Sequence, residues 1–99
     1  MIVFITARAE TDLERIADYI AMDNPQRAVS FIHELVDRCE HLADTPNGFS
    51  LVPRYEHIRR RPYGNYLIFY RVGEDRIEIL HILNGAQDFE SILFPRKDQ

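Results

Sequence analysis

The spacing of apolar residues changes twice along this chain. Ile2–Ile5 is a short, β-branched apolar run, which predicts a buried strand. Leu13, Ile16, Ala17 and Ile20 then recur at i, i+3, i+4, i+7, one face of a helix. Thr6 is placed to cap that helix, and Glu10 falls in its first turns, where a carboxylate suits the positive end of the dipole. Glu10, Glu14 and Asp18 line another face and read as solvated. Asn24-Pro25 ends one helix and begins the next, because Asn suits an N-cap and Pro the first helical position. The second helix carries Ala28, Phe31, Ile32, Leu35, Val36, Cys39 and Leu42 on one broad stripe. It is expected to end near Asp44, before Pro46-Asn47-Gly48. So short a connection makes the two helices an antiparallel hairpin.

Beyond Pro53 the period falls to two. Tyr55–Arg61, Tyr66–Arg71 and Arg76–Leu83 read as strands, separated by turn chemistry at Pro62-Tyr63-Gly64-Asn65 and Gly73-Glu74-Asp75. Gly85 breaks the last strand, and Ala86–Phe94 reads as a short helix ending at Pro95. The predicted fold class is α+β: a strand, an antiparallel helical hairpin, a three-stranded antiparallel meander and a short C-terminal helix. All of it belongs to a single domain spanning residues 1–99. The first strand must pair with the meander, since a lone strand is unstable.

Composition narrows the class. Apolar residues are 45% and charged residues 28%, values of an ordinary globular domain. No apolar run approaches the ~20 residues that span a bilayer, and no signal peptide is visible, so no membrane partner is expected. A lone cysteine, Cys39, suits a reducing compartment, and a cytoplasmic location is the expectation. The net charge of −4 argues against a protein that coats nucleic acid, so no direct nucleic-acid binding is expected.

Candidate chemistry is sparse. Cys39 lies on the apolar stripe and reads as a small buried hydrophobe. His33, His41, His57 and His81 lack zinc spacing, and there is no nucleophile elbow, phosphate loop or metalloprotease motif. No catalytic residue, metal or cofactor is therefore expected. The basic charge is eleven arginines and one lysine, with Arg59-Arg60-Arg61 its densest point. This triplet reads either as a charged edge that discourages sheet aggregation or as a docking site for an acidic partner segment or a phosphate. Ile58 is expected to face the helices, which would put Arg60 on the core side and Arg59 with Arg61 on the other. Arg54 and Arg71 are expected to join them in one positive patch. Tyr55, Tyr63, Tyr66 and Tyr70 share the meander and suit sheet packing, a protein interface or stacking on bases.

An ordered set of motifs resembles a known family. It runs from Ala9 to Leu13 with Ile16 and Tyr19-Ile20, through Asn24-Pro25-x-x-Ala28 with Phe31, Leu35 and Leu42. It continues with Arg59 ahead of Gly64-Asn65-Tyr66-Leu67-Ile68-Phe69-Tyr70-Arg71-Val72, and ends on Ile79-Leu80-x-Ile82-Leu83-x-Gly85-Ala86-x-Asp88. Together these resemble the ParE branch of the RelE/ParE toxins over almost the whole chain.

The resemblance implies the toxin of a bacterial type II toxin–antitoxin pair, one that stabilises a plasmid or genome. It would poison DNA gyrase by binding and be neutralised by a cognate ParD-like antitoxin, whose C-terminal segment would use the stripe of helix two and the arginine patch. Arg54, Arg59, Arg60, Arg61, Arg71, Tyr66, Asn84 and Gln87 are the candidate antitoxin- and target-binding residues. Two alternatives remain: a RelE-type ribosome-dependent endoribonuclease, and an antitoxin-binding module that has lost toxicity. RelE-like proteins carry arginines where this chain has Leu67 and Gln87, and they use lysines on the second strand that are missing here. The last strand of ParE-like chains ends roughly His-Gly-Ala-Arg-Asp, where this one reads Asn84-Gly85-Ala86-Gln87-Asp88.

Overall fold

Thr6 closes the first strand and opens the first helix. Its N–H donates to the Ile79 carbonyl at 3.2 Å, while its hydroxyl oxygen accepts the Ala9 N–H at 3.3 Å. In the computed structural model, which describes residues 1–95, β1 spans Ile2–Ile5, α1 Ala7–Ala21 and α2 Pro25–His41. The Asn24 side chain accepts the Arg27 N–H and Pro25 holds the first helical position, as the spacing predicts. Then come β2 (Leu51–Val52), β3 (Tyr55–Tyr63), β4 (Tyr66–Val72), β5 (Arg76–Asn84) and the short α3 (Phe89–Leu93).

The strands form one five-stranded sheet in the order β1-β5-β4-β3-β2. β3, β4 and β5 are the expected meander, and β1 lies parallel to β5, with Ile2 beside Arg76 and Ile5 beside Ile79. The helical hairpin makes that parallel pairing possible by carrying the chain back across the sheet. β2 was not foreseen. It is two residues long and has no period to read, yet it buries Val52 at 2% exposure on the outer side of β3. Between β3 and β4 the chain reverses through Gly64-Asn65, and Gly64 takes the positive φ of 57° that hairpin turns of the primed class require.

One irregularity sets the register of the centre. Phe69 opposes His81 and Tyr70 opposes Ile79, so Leu80 is an extra residue on β5. That bulge lets Ile77, Ile79 and Ile82 all face the helices, although 79 and 82 differ by an odd number. They pack with Ile68 and Tyr70 of β4 against Leu13 and Ile16 of α1 and Phe31, Leu35 and Cys39 of α2.

The opposite face holds a second apolar cluster, Val52, Ile58, Phe69 and Leu83, covered by Phe89, Ile92, Leu93 and Phe94. This corrects the expected orientation of β3. Ile58 lies under α3, and the pairings Arg59 to Tyr70 and Arg61 to Ile68 put Arg59 and Arg61 on the helix side. Arg60 stands on the α3 side. Alternation along β3 was read correctly, but its sign was inverted, because both faces of this sheet are apolar. The stripe of α2 needs a correction too. Ala28, Phe31, Leu35, Cys39 and Leu42 are at most 8% exposed, consumed by the chain's own sheet, and only Ile32 and Val36 of the stripe stay partly exposed at its margin.

Candidate functional site

On the helix side, α2 and β3 build an aromatic ribbon overlaid with arginines. Phe31 packs against Tyr63 and Tyr66, with ring centroids 5.8 and 5.6 Å apart. The Arg27 guanidinium lies 5.0 Å over Phe31, Arg38 lies 5.0 Å over Tyr63, and Arg61 lies 4.9 Å over Phe49. Glu34 ties the ribbon together: Arg27 donates to it at 2.6 Å and the Tyr63 hydroxyl at 2.5 Å. Those two donors hold the Glu34 carboxyl below its ordinary range, and the same carboxylate pushes the Tyr63 phenol up. Arg59 faces this side but is occupied, donating to the Phe49 carbonyl at 2.6 Å. Phe49 lies in the loop between α2 and β2, so Arg59 fixes that loop.

The other face carries Arg54, Arg60 and Arg71. Arg60 lies 5.8 Å over the Phe89 ring. Arg71 pairs with Glu78, which also receives Arg76 at 2.9 Å. Both guanidiniums hold the Glu78 carboxyl low, Arg71 most strongly, and Glu78 in turn offsets much of their charge. Arg54, at the left-handed φ of 75°, borders a cavity of about 400 Å³ together with Tyr55, Arg71 and Phe94. The five arginines expected in one patch therefore divide between two faces of the sheet, although Arg59 and Arg71 still border one cavity of about 210 Å³. Strand alternation separates Arg60 from its neighbours; Arg60 opposes Phe69, and Arg71, two residues further along β4, shares that face.

Tyr66, Asn84 and Gln87 do come together. They line a cleft of about 370 Å³ at the end of β5, with Arg15 and Tyr19 of α1 on the opposite wall. Gln87 accepts the Asn84 N–H at 2.8 Å through its side-chain oxygen, and Asn84 accepts the Ala86 N–H at 2.9 Å. The pair thus braces the turn beyond β5 while its amide groups border the cleft. The floor holds two residues that sequence reasoning passed over. Asp12, 5% exposed, accepts the Ile82 N–H at 2.9 Å and lies 2.7 Å from His81 Nδ1. His81 Nε2 is buried without a hydrogen-bond partner among the described residues. The signal was present: Asp12 lies three residues after Ala9 and four before Ile16, squarely on the apolar face of α1.

Cys39 is fully buried, and desolvation pushes its thiol up to about 12, so it is no nucleophile as it stands. Among the described residues no group of three or more His, Cys, Asp or Glu side chains is placed to hold a metal ion. No helix among them is long and apolar enough to cross a membrane.

Comparison with known proteins bears on these surfaces. The model of the ParE toxin of the type II toxin–antitoxin system parDE matches residues 3–89. The chain belongs to the ParE toxin family. A solved structure of the chromosomal ParDE TA system from P. aeruginosa contains a chain with the same fold, at a TM-score of 0.73 and 24% identity. The match covers 85% of this chain and 95% of that one. No curated protein matches the sequence significantly. This ParE toxin is thus one half of a ParDE-type pair.

Proposed function

We propose that this toxin inhibits DNA gyrase by binding it, and that a cognate ParD-like antitoxin neutralises it. The observation that carries the reading is the cleft at the end of β5. It gathers Arg15, Tyr19, Tyr66, Asn84 and Gln87, donors and aromatic faces suited to gripping a protein surface. Cleaving RNA needs cationic and acid–base groups around a phosphate. At the two positions where RelE-like proteins carry arginine, Leu67 packs into the second apolar cluster and Gln87 is engaged with Asn84. Arg15 and Tyr66 remain for contact, which favours binding over chemistry.

The antitoxin's surface is assigned to the helix-side ribbon. There Arg27, Arg38 and Arg61 sit over aromatic rings, each at least partly exposed and holding a local bond, to Glu34, Asp37 and the Pro62 carbonyl, so an acidic, aromatic-bearing segment would find both complements on exchanging those bonds. Arg54, Arg60 and Arg71 on the far face are proposed as a secondary contact. Purified toxin is to be added to gyrase and relaxed plasmid, and cleaved-complex DNA scored. Cleavage or loss of supercoiling that the antitoxin reverses supports the reading. No effect on gyrase with growth arrest in cells moves the target elsewhere. Neither effect, with antitoxin binding intact, leaves a module that has lost toxicity. Cleavage of ribosome-bound mRNA establishes the endoribonuclease instead.

A further inference from the structure

A sheet of five strands has several places where backbone groups could be left unpaired, and among the described residues two of these are blunted or capped. β2 is two residues long, its register shifts, and Pro53 and Arg54 follow it, so that edge offers no template. Beyond Ile79, β5 has no strand on its outer side. There the outward N–H groups of Ile82 and Asn84 are taken by the Asp12 and Gln87 side chains.

The remaining edge is β1. The N–H groups of Ile2 and Thr6 donate to Asp75 and Ile79 of the β5 side, so alternation turns the N–H and C=O of Val3 and Ile5 away from the sheet. Among the described residues these four groups have no hydrogen-bond partner. The side chains of residues 1–6 include no charge and no proline, and no bulge interrupts the pairing, so the usual means of blunting an edge are missing. Ile2 is 72% exposed and Phe4 46% exposed, both on the face that α3 leaves uncovered.

We propose that β1 pairs antiparallel with β1 of a second copy of this chain, about a twofold axis at Phe4. The edge is self-complementary in that register. Val3 opposes the second copy's Ile5 and exchanges both backbone bonds with it, and Ile5 does the same with the second copy's Val3. All four outward groups of each copy are then satisfied. Phe4 opposes its own equivalent in the close, non-hydrogen-bonded position, ring against ring on the exposed face. The side chains of the strand itself carry no charge, and the nearest one, the Arg76 guanidinium 5.2 Å over the Phe4 ring, is offset by Glu78 at 2.9 Å, so little repels a second copy. Four residues a side fall short of the ~1,200 Å² of a stable complex, so the dimer is weak, with Kd between about 10 µM and 1 mM.

Sedimentation of the purified full chain over this concentration range tests the proposal. The weight-average mass should climb from 11.7 kDa towards twice that value. Phe4→Lys should hold it at the monomer with an unchanged melting temperature, while Val29→Lys, an exposed apolar site on α2, should leave association intact. The register has its own readout. Cα atoms about 4.5 Å apart lie within disulfide range, so Phe4→Cys should cross-link copies under mild oxidation where Val29→Cys does not. A wild-type chain that stays monomeric at 1 mM overturns the proposal. So does association that Phe4→Lys leaves untouched, or an edge whose Phe4→Lys variant loses only antitoxin affinity.

Discussion

Asp12 Oδ2 lies 2.7 Å from His81 Nδ1 and 2.9 Å from the Ile82 nitrogen, so one carboxylate of α1 serves both a buried side chain and a strand edge. The relationship exists because β1 ends at Ile5 and leaves the outer side of β5 without a strand. Removing Asp12 exposes both partners to the cost of burial without a bond. Asp12→Ala should lower unfolding stability by about 3 kcal/mol in urea titration, and Asp12→Asn, which keeps one acceptor, by about half of that. An Ala variant as stable as the parent would show that water replaces the carboxylate.

Leu35 is fully buried between the helices and the sheet. Leu35→Ala should cost roughly 2–5 kcal/mol from the lost transfer energy and the cavity left behind. In a chain of this size that is a large share of the total, so the variant should melt at least 10 °C lower or fail to fold. A shift of a degree or two in calorimetry would contradict the packing described.

Gly64 offers a separate test of backbone and packing. A Cβ added there would meet Phe31 at 3.9 Å, an ordinary contact, so sterics against neighbours cost little. Its φ of 57° is the expensive part. Gly64→Ala should lose about 1 kcal/mol, and Gly64→Asn distinctly less, because Asn tolerates that region. Equal losses for both variants would point to a clash and not to the dihedral.

The acid limb of stability follows from Glu34 and Glu78. Both carboxyls are held below the ordinary 4.5, Glu34 by Arg27 and Tyr63, Glu78 by Arg71 and Arg76. A lowered folded value gives stability that is complete above the unfolded value and lost as pH falls through the folded one. His41 runs the other way. Its backbone bond to Asp37 and that residue's charge raise it above 6.5, so its contribution is present below 6.5 and lost as pH rises through the raised value. The urea midpoint should therefore be highest between about pH 5 and 6.5. Glu34→Gln with Glu78→Gln should flatten the fall below pH 5, and an unaltered slope would remove these residues as its source.

Charge reversal separates recognition from support. Arg61→Glu should weaken antitoxin binding at least tenfold at modest salt with only a small fall in melting, from the lost stacking on Phe49. Arg59→Glu should lower melting first, because the Phe49 carbonyl loses its donor. Arg60→Glu, on the opposite face, should do neither to the same degree. Isothermal titration with the antitoxin, paired with melting curves, reads all three.

How far the sequence reached depended on whether one period dominated a segment. The hairpin was legible from Thr6, from Asn24-Pro25 and from the stripe through Leu35, since capping and helical spacing are local. The order of the meander was legible too. The face of β3 was not, because a sheet buried on both sides gives Ile58 and Arg60 no solvent side to declare. The parallel pairing of β1 and the Leu80 bulge are long-range facts without a local signature. At the site, Asn84, Gln87 and Tyr66 converge as adjacent turn and strand residues should. The arginines did not, since a triplet in a strand must split between faces.

Cys39 has one more consequence. It is the sole thiol of the chain, fully buried in the principal core, and its proton is held up to about 12. An aromatic disulfide reagent can reach it only when α2 lifts from the sheet, so the labelling rate clocks that opening directly. The molecule thus carries a built-in stopwatch for its own core, readable in a colorimeter without engineering a probe, and an antitoxin that clamps α2 should slow it.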